Sequence, residues 1–262
     1  MCRWLVWQGE PVFLDELVFA PSHSLVAQAL LSREAKMDTN ADGFGLGWYA
    51  HKPEPCLYRD TLPAWADENL KNLAAHIRAR SFFAHVRAST GTSTSRHNCH
   101  PFSWGRWLFM HNGQIGDYER LRRSLEGELT DACYDARCGT SDSELLFLLA
   151  VGLGLVEDPL KALRAALACT LRTAAAKDVH KPVRFTAALT DGSKLYAMRW
   201  SSDAFPPSLY YRQTPQGVVV VSEPLDNDAP NWIPVPGNHV LIAENGRVSS
   251  VEPFEIGLRM AA

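Results

Sequence analysis

MCRWLVWQGE, residues 1–10, places a thiol at the second position and runs at once into an apolar stretch. Residues 3–8, RWLVWQ, read as a strand that starts almost at the terminus. The stretch is too short for a signal peptide, and Arg3 and Glu10 interrupt it. A lipoprotein signal is excluded because no apolar segment precedes Cys2. Removal of Met1, which a small second residue favours, would leave Cys2 with both a thiol and a free α-amine. An α-amine of pKa about 8 can take the thiol proton near neutral pH and return it to a leaving amine. The chain terminus then serves as the base of a nucleophile.

Outward from this strand the pattern mixes short helices and strands. Ser24 to Ser32 reads as a helix, and 44–50, FGLGWYA, as a strand. Leu70, Leu73 and Ile77 have helical spacing, so 67–79 reads as an amphipathic helix. Residues 82–88 and 106–112 read as strands around a polar loop. Tyr118, Leu121 and Leu125 mark a short helix, and 128–140 reads as loop. Ser141 to Val156 reads as a buried helix with Ser141 and Glu144 in capping-box spacing. Asp158–Pro159 opens another helix, with Leu160, Leu163, Leu167 and Leu171 in one stripe. Strands are expected over 183–190, 194–200, 208–212, 217–222, 239–244 and 247–251. Asp191–Gly192 and Asn245–Gly246 supply hairpin turns. Helices grouped mid-chain, with hairpins before and after, point to antiparallel sheets in one domain spanning 1–262.

Composition narrows the chemistry. The chain has 262 residues, 46% of them hydrophobic, with net charge −3 and pI about 6.3. No basic run could track phosphates, so nucleic acid is excluded as a partner. The longest apolar run, LLFLLAVGLGLV from Leu145 to Val156, is too short to span a bilayer, so no membrane is expected. A cytoplasmic location follows, with all six cysteines reduced.

Four clusters could carry chemistry. Cys2 is the first. In AHVRASTGTSTSRHNCHPF, residues 84–102, Arg87 at a strand end could grip a carboxylate through two parallel hydrogen bonds. In FMHNGQI, residues 109–115, the Asn112 amide and the Gly113 N–H could stabilise an oxyanion. In GTSDSELLF, residues 139–147, Asp142 could face an ammonium group. Each has a plainer account when taken singly: an ordinary residue 2, a surface ion pair, a turn, a helix cap. His97, Cys99, His100, His111, Cys133 and Cys138 lie near one another in sequence, yet no C-x-x-C or H-E-x-x-H spacing is present, so no metal site is expected. His97 and His100 read as shaping the loop beside the site.

The order of the four clusters resembles the glutaminase domain of class II glutamine amidotransferases. DGFGLGWY (42–49), VSEPLD (221–226), Trp232 and IPVPGNHVL (233–241) are similar to segments of that family's stand-alone members. The resemblance implies the αββα fold of N-terminal-nucleophile hydrolases: an α+β sandwich of two antiparallel sheets flanked by helices. It implies Cys2 as nucleophile with its amine as acid and base, and Asn112 and Gly113 as the oxyanion hole. It implies Arg87 on the α-carboxylate and Asp142 on the α-ammonium of glutamine or a γ-glutamyl amide, with no cofactor. A buried zwitterion needs one partner of each sign, so the two assignments agree chemically. Two departures stand out. Ala88 follows Arg87 where several biosynthetic members have tryptophan, and Gly91 stands where they have histidine. The chain also lacks their long synthase domain. A separate synthase or peptidase subunit, or a γ-glutamyl substrate with no ammonia transfer, is therefore expected. The latter is the pattern of the short members found in ergothioneine synthesis and glutathione degradation. A γ-glutamyl-binding subunit with little activity alone is the alternative reading.

Overall fold

The computed structural model describes residues 2–34, 39–89 and 93–257. Gly91 lies outside them. Two antiparallel sheets face one another. The first has the order β11-β9-β10-β1-β4-β2-β3, comprising Ile233–Pro234, Tyr210–Gln213, Gly217–Val221, Arg3–Phe13, Arg78–Val86, Phe44–Trp48 and Cys56–Asp60. The second has the order β13-β12-β8-β7-β6-β5, comprising Arg247–Pro253, His239–Glu244, Lys194–Ser201, Val183–Thr190, Trp107–Ile115 and Phe102–Trp104.

Period-two alternation builds the layers. Along β1, Trp4 and Val6 join Phe83, Leu108, Met110 and Ala188 in an apolar layer between the sheets. Leu5 and Trp7 face the other way, onto the helices α1 (Asp15–Val18), α2 (Leu25–Leu30) and α3 (Glu68–His76). Phe109 and Phe185 on the far face of the second sheet pack under α4 (Tyr118–Glu126), α6 (Asp142–Gly152) and α7 (Pro159–Ala176). The architecture is the four-layer αββα sandwich. Between the fourth and sixth helices lies α5 (Asp131–Asp135), capped by Thr130 Oγ1 accepting from the Cys133 N–H at 3.4 Å.

The strand 183–190 and the strand 239–244 match their expected bounds. Asn245–Gly246 forms the two-residue hairpin between β12 and β13, both residues having positive φ. Three expectations need correction. Residues 128–140 are not all loop, since α5 occupies part of them; a one-turn helix shows little periodicity. The buried helix stops at Gly152, short of Val156. Asn112–Gly113 is not a turn at a strand end: β6 runs on to Ile115, pairing Asn112 with Thr186 and Gly113 with Phe185. Long-range pairing with β7 holds the dipeptide extended against its local turn preference.

Candidate active site

The site lies where three strand ends meet. Arg3 pairs with Val86, and Phe44 pairs with the same Val86 from the other side. Cys2, Gly43 and Arg87, one residue beyond these pairs, therefore share one edge of the first sheet. Alternation also sets their direction. Cys2 continues the face of Trp4 and Val6, and Arg87 the face of Phe83 and His85, so both turn toward the space between the sheets. On β6, Asn112 continues the face of Leu108 and Met110 and turns to the same space.

A small cavity there, about 50 Å³, is lined by Cys2, Arg87, Gly113 and Asp142 together with His100 and Ser143. Four of the five expected site residues thus converge from β1, β4, β6 and α6. A larger cleft of about 390 Å³ opens near Gln8, Glu10 and Arg80, toward the far end of β1, and contains none of them.

Each side chain has a local cause for its place. The Cys2 thiol donates weakly to the Ala88 carbonyl at 3.6 Å. Burial pushes its pKa up; the Ala88 backbone contact and the positive charges of Arg87 and Arg3 offset part of this. The resting group is a neutral thiol, which needs a base before it can attack. Arg87 is buried, its Nη1 donating to the Asp42 carbonyl at 3.2 Å and its Nη2 to Ser89 Oγ at 3.2 Å. Asp42 also accepts the Ser89 N–H at 2.7 Å, bracing the strand exit that carries Arg87.

Asp142 is the first residue of α6 but not its cap. Ser141 Oγ accepts the Glu144 N–H at 3.2 Å, and the Asp142 carboxylate accepts the Ile115 N–H at 2.9 Å. The carboxylate is thereby held against the end of β6, at the positive end of the helix. The capping box is only half formed. Glu144, itself buried, instead accepts the N–H groups of Cys138 and Gly139 at 3.1 and 2.7 Å.

Gly113 is required by its neighbours. A Cβ there would lie 1.9 Å from the Arg184 carbonyl oxygen and 2.3 Å from His111 Nε2. His111 Nε2 donates to that carbonyl at 3.0 Å, and its Nδ1 lies 2.8 Å from Ser143 Oγ. Burial keeps His111 below its usual pKa, although the Asp142 charge pulls the other way. Asn112 is buried, and neither its Nδ2 nor its Oδ1 has a hydrogen-bond partner among the described residues. An amide so placed has its full donor capacity left for a ligand.

The His100 ring packs against that of His85, tilted by 31°, with ring centroids 4.3 Å apart. Burial holds both below the usual range, His85 at about 3, so both rings are neutral. Among the described residues, no three His, Cys, Asp or Glu side chains are placed to hold a metal. Cys99 packs against Gly43, Cys133 lies near Gly152, and Cys138 is exposed.

Sequence reasoning missed Asn98 and the network behind Cys2. Asn98 donates to the Ser93 carbonyl at 2.9 Å and accepts the Thr140 N–H at 2.8 Å, tying the loop before β5 to the approach of α6. Behind Cys2, the Ser222–Glu223 pair inside VSEPLD grips the start of β1. No local signal marks that contact, because its partners are more than 200 residues apart.

Comparisons with known proteins identify the family. Residues 17–215 match the family described as glutamine amidotransferases class-II. The probable glutamine amidotransferase DUG3 of Saccharomyces cerevisiae is 32% identical over 92% of this chain and 81% of its own length. The gamma-glutamyl-hercynylcysteine sulfoxide hydrolase of Mycolicibacterium smegmatis is 31% identical over 95% of this chain and 98% of its own. A solved glutamine aminotransferase class-II domain protein from Silicibacter pomeroyi superposes with a TM-score of 0.76. It is 36% identical and covers 97% of this chain and 99% of its own. No helix among the described residues is long and apolar enough to cross a membrane. The chain belongs to the class II glutamine amidotransferases and is an enzyme of the glutamine amidotransferase and γ-glutamyl hydrolase type.

Proposed function

We propose that this chain, as one domain over 1–262, hydrolyses a γ-glutamyl amide through a γ-glutamyl thioester on Cys2. The observation that carries the reading is the convergence of a thiol, a guanidinium, a carboxylate and a strand N–H on one cavity. Cys2 is the nucleophile. With Met1 removed, its α-amine takes the thiol proton as sulfur attacks the γ-carbonyl carbon. The oxygen of the tetrahedral intermediate is held by the Asn112 amide and the Gly113 N–H. The amine then hands its proton to the departing nitrogen, leaving the thioester. Water, activated by the same amine, releases glutamate and restores the thiol.

Arg87 takes the α-carboxylate and Asp142 the α-ammonium. Arg87, at the exit of β4, and Asp142, at the start of α6, hold the two charges of one α-carbon, and the distance from that head to the Cys2 thiol selects the length of the glutamyl group. The leaving group is proposed to be larger than ammonia. This follows the hydrolase named among the relatives, which matches nearly end to end. A separate subunit fits either outcome, a synthase where ammonia is released and a peptidase where the leaving group is a peptide.

The test compares glutamate release from free L-glutamine and from a γ-glutamyl-cysteine peptide, with Cys2→Ala as control. Faster release from the peptide supports the proposal, and faster release from glutamine points to an ammonia-supplying subunit. Undiminished release by Cys2→Ala would refute the nucleophile assignment.

A further inference from the structure

Arg3 follows the nucleophile and, by strand alternation, turns to the opposite face of the first sheet. It is completely buried there. Its Nη1 donates to the Cys2 carbonyl oxygen at 3.2 Å, and its Nε lies 2.8 Å from Glu223 Oε2. Glu223 Oε1 lies 2.5 Å from His23 Nε2, and the same carboxylate accepts the N–H groups of Arg33 and Glu34 at 2.9 and 3.1 Å. Ser222 completes the grip, its Oγ accepting the Trp4 N–H at 2.9 Å and its own N–H donating to the Trp4 carbonyl at 3.0 Å.

Charges are rarely buried without reason, because desolvation costs much of what the pairing returns. Burial would push the Glu223 carboxyl up. Its bonds from His23 and Arg33, with the Arg3 charge, more than offset this and keep it ionised. A carboxylate with this many partners has little freedom to move. The guanidinium it holds is fixed in turn, and with it the carbonyl of Cys2. A chain terminus is ordinarily the most mobile part of a fold, and a nucleophile cannot be.

From this geometry we infer that Glu223 is a positioning residue for Cys2, acting through Arg3; the inference rests on the nucleophile reading above. Glu223 touches neither substrate nor thiol. It sets the direction in which the Cys2 thiol and amine leave the end of β1. A small misplacement of an attacking atom costs rate without weakening the binding of substrate.

The experiment measures kcat and KM for glutamate release by Glu223→Gln and by the double variant Arg3→Met/Glu223→Gln, with near-UV circular dichroism to check the fold. The double variant removes both buried charges together, so it leaves none uncompensated. The expected result is kcat lower by about 100-fold in both, with KM within about threefold of the parent. A folded variant with kcat within threefold of the parent, or a loss confined to KM, overturns the proposal. A double variant that fails to fold also overturns it, since the network would then be structural. Cys2→Ala measured alongside separates the two claims. If it keeps activity, the nucleophile reading fails. If it is dead while Glu223→Gln is fully active, only the positioning role fails.

Discussion

Replacing Asn112 with alanine should move activity and stability in different directions. The Asn112 side chain is about 1% exposed, and both its polar atoms are without a partner among the described residues. Burying such an amide unpaired costs about 1–3 kcal/mol in the free enzyme. Alanine removes that cost along with the donor. The volume that alanine leaves unfilled offsets part of that relief. In the transition state the amide would make its first strong hydrogen bond, to the oxyanion. Losing one such donor costs about 10²–10³ in kcat, or roughly 2.7–4 kcal/mol. Asn112→Ala should therefore lose kcat by that factor while KM stays within a few-fold. Its Tm should hold or rise, by about 2–4 °C for each kcal/mol relieved. Steady-state glutamate release and a thermal melt on one preparation check both halves. A kcat within fivefold of the parent would refute the oxyanion role. A Tm lowered by more than about 5 °C would show that the amide has a structural partner after all.

Arg87→Lys keeps the charge but loses the planar fork, so KM should rise about 10–100-fold with kcat changed by less than fivefold. Unchanged KM would remove Arg87 from carboxylate binding. The pH dependence of stability follows from the buried histidines. His85 is held at about 3 by burial first and the Arg87 charge second, against an ordinary value of 6.5. Between those two values the unfolded chain binds a proton that the folded chain refuses, so stability must fall as pH falls through this window. The slope is about 1.4 kcal/mol per pH unit for each such histidine, and His100 and His111 are shifted in the same direction. Urea midpoints should therefore drop between pH 7 and pH 5, before carboxylates titrate, and His85→Gln should flatten the slope. A flat profile over that range in the parent would contradict the burial argument.

Much of the fold was legible because it depends on local rules. Short strand-like runs marked β1, β4, β7 and β12, and the caps Ser141 and Asp158 marked the starts of α6 and α7. Where local rules and long-range pairing disagreed, pairing prevailed. Asn112–Gly113 has the composition of a turn and lies inside a strand, because it pairs in register with β7 and the Arg184 carbonyl leaves no room for a Cβ.

By itself the sequence determined the parts list: a thiol at position 2, an arginine at a strand exit, an Asn-Gly pair and an aspartate opening a helix. Side-chain type and spacing along the chain are enough for that. Only the tertiary structure decided that these parts serve one cavity. The shared register at Val86 puts Cys2 and Arg87 on one edge, and the hydrogen bond from Ile115 N–H to Asp142 brings the helix to β6. Only the tertiary structure, too, set Glu223 behind Arg3, 220 residues away in the chain. The physical reason is the same in both cases. A buried charge is tolerated only where its partner waits, and which partner that is depends on how the strands pair.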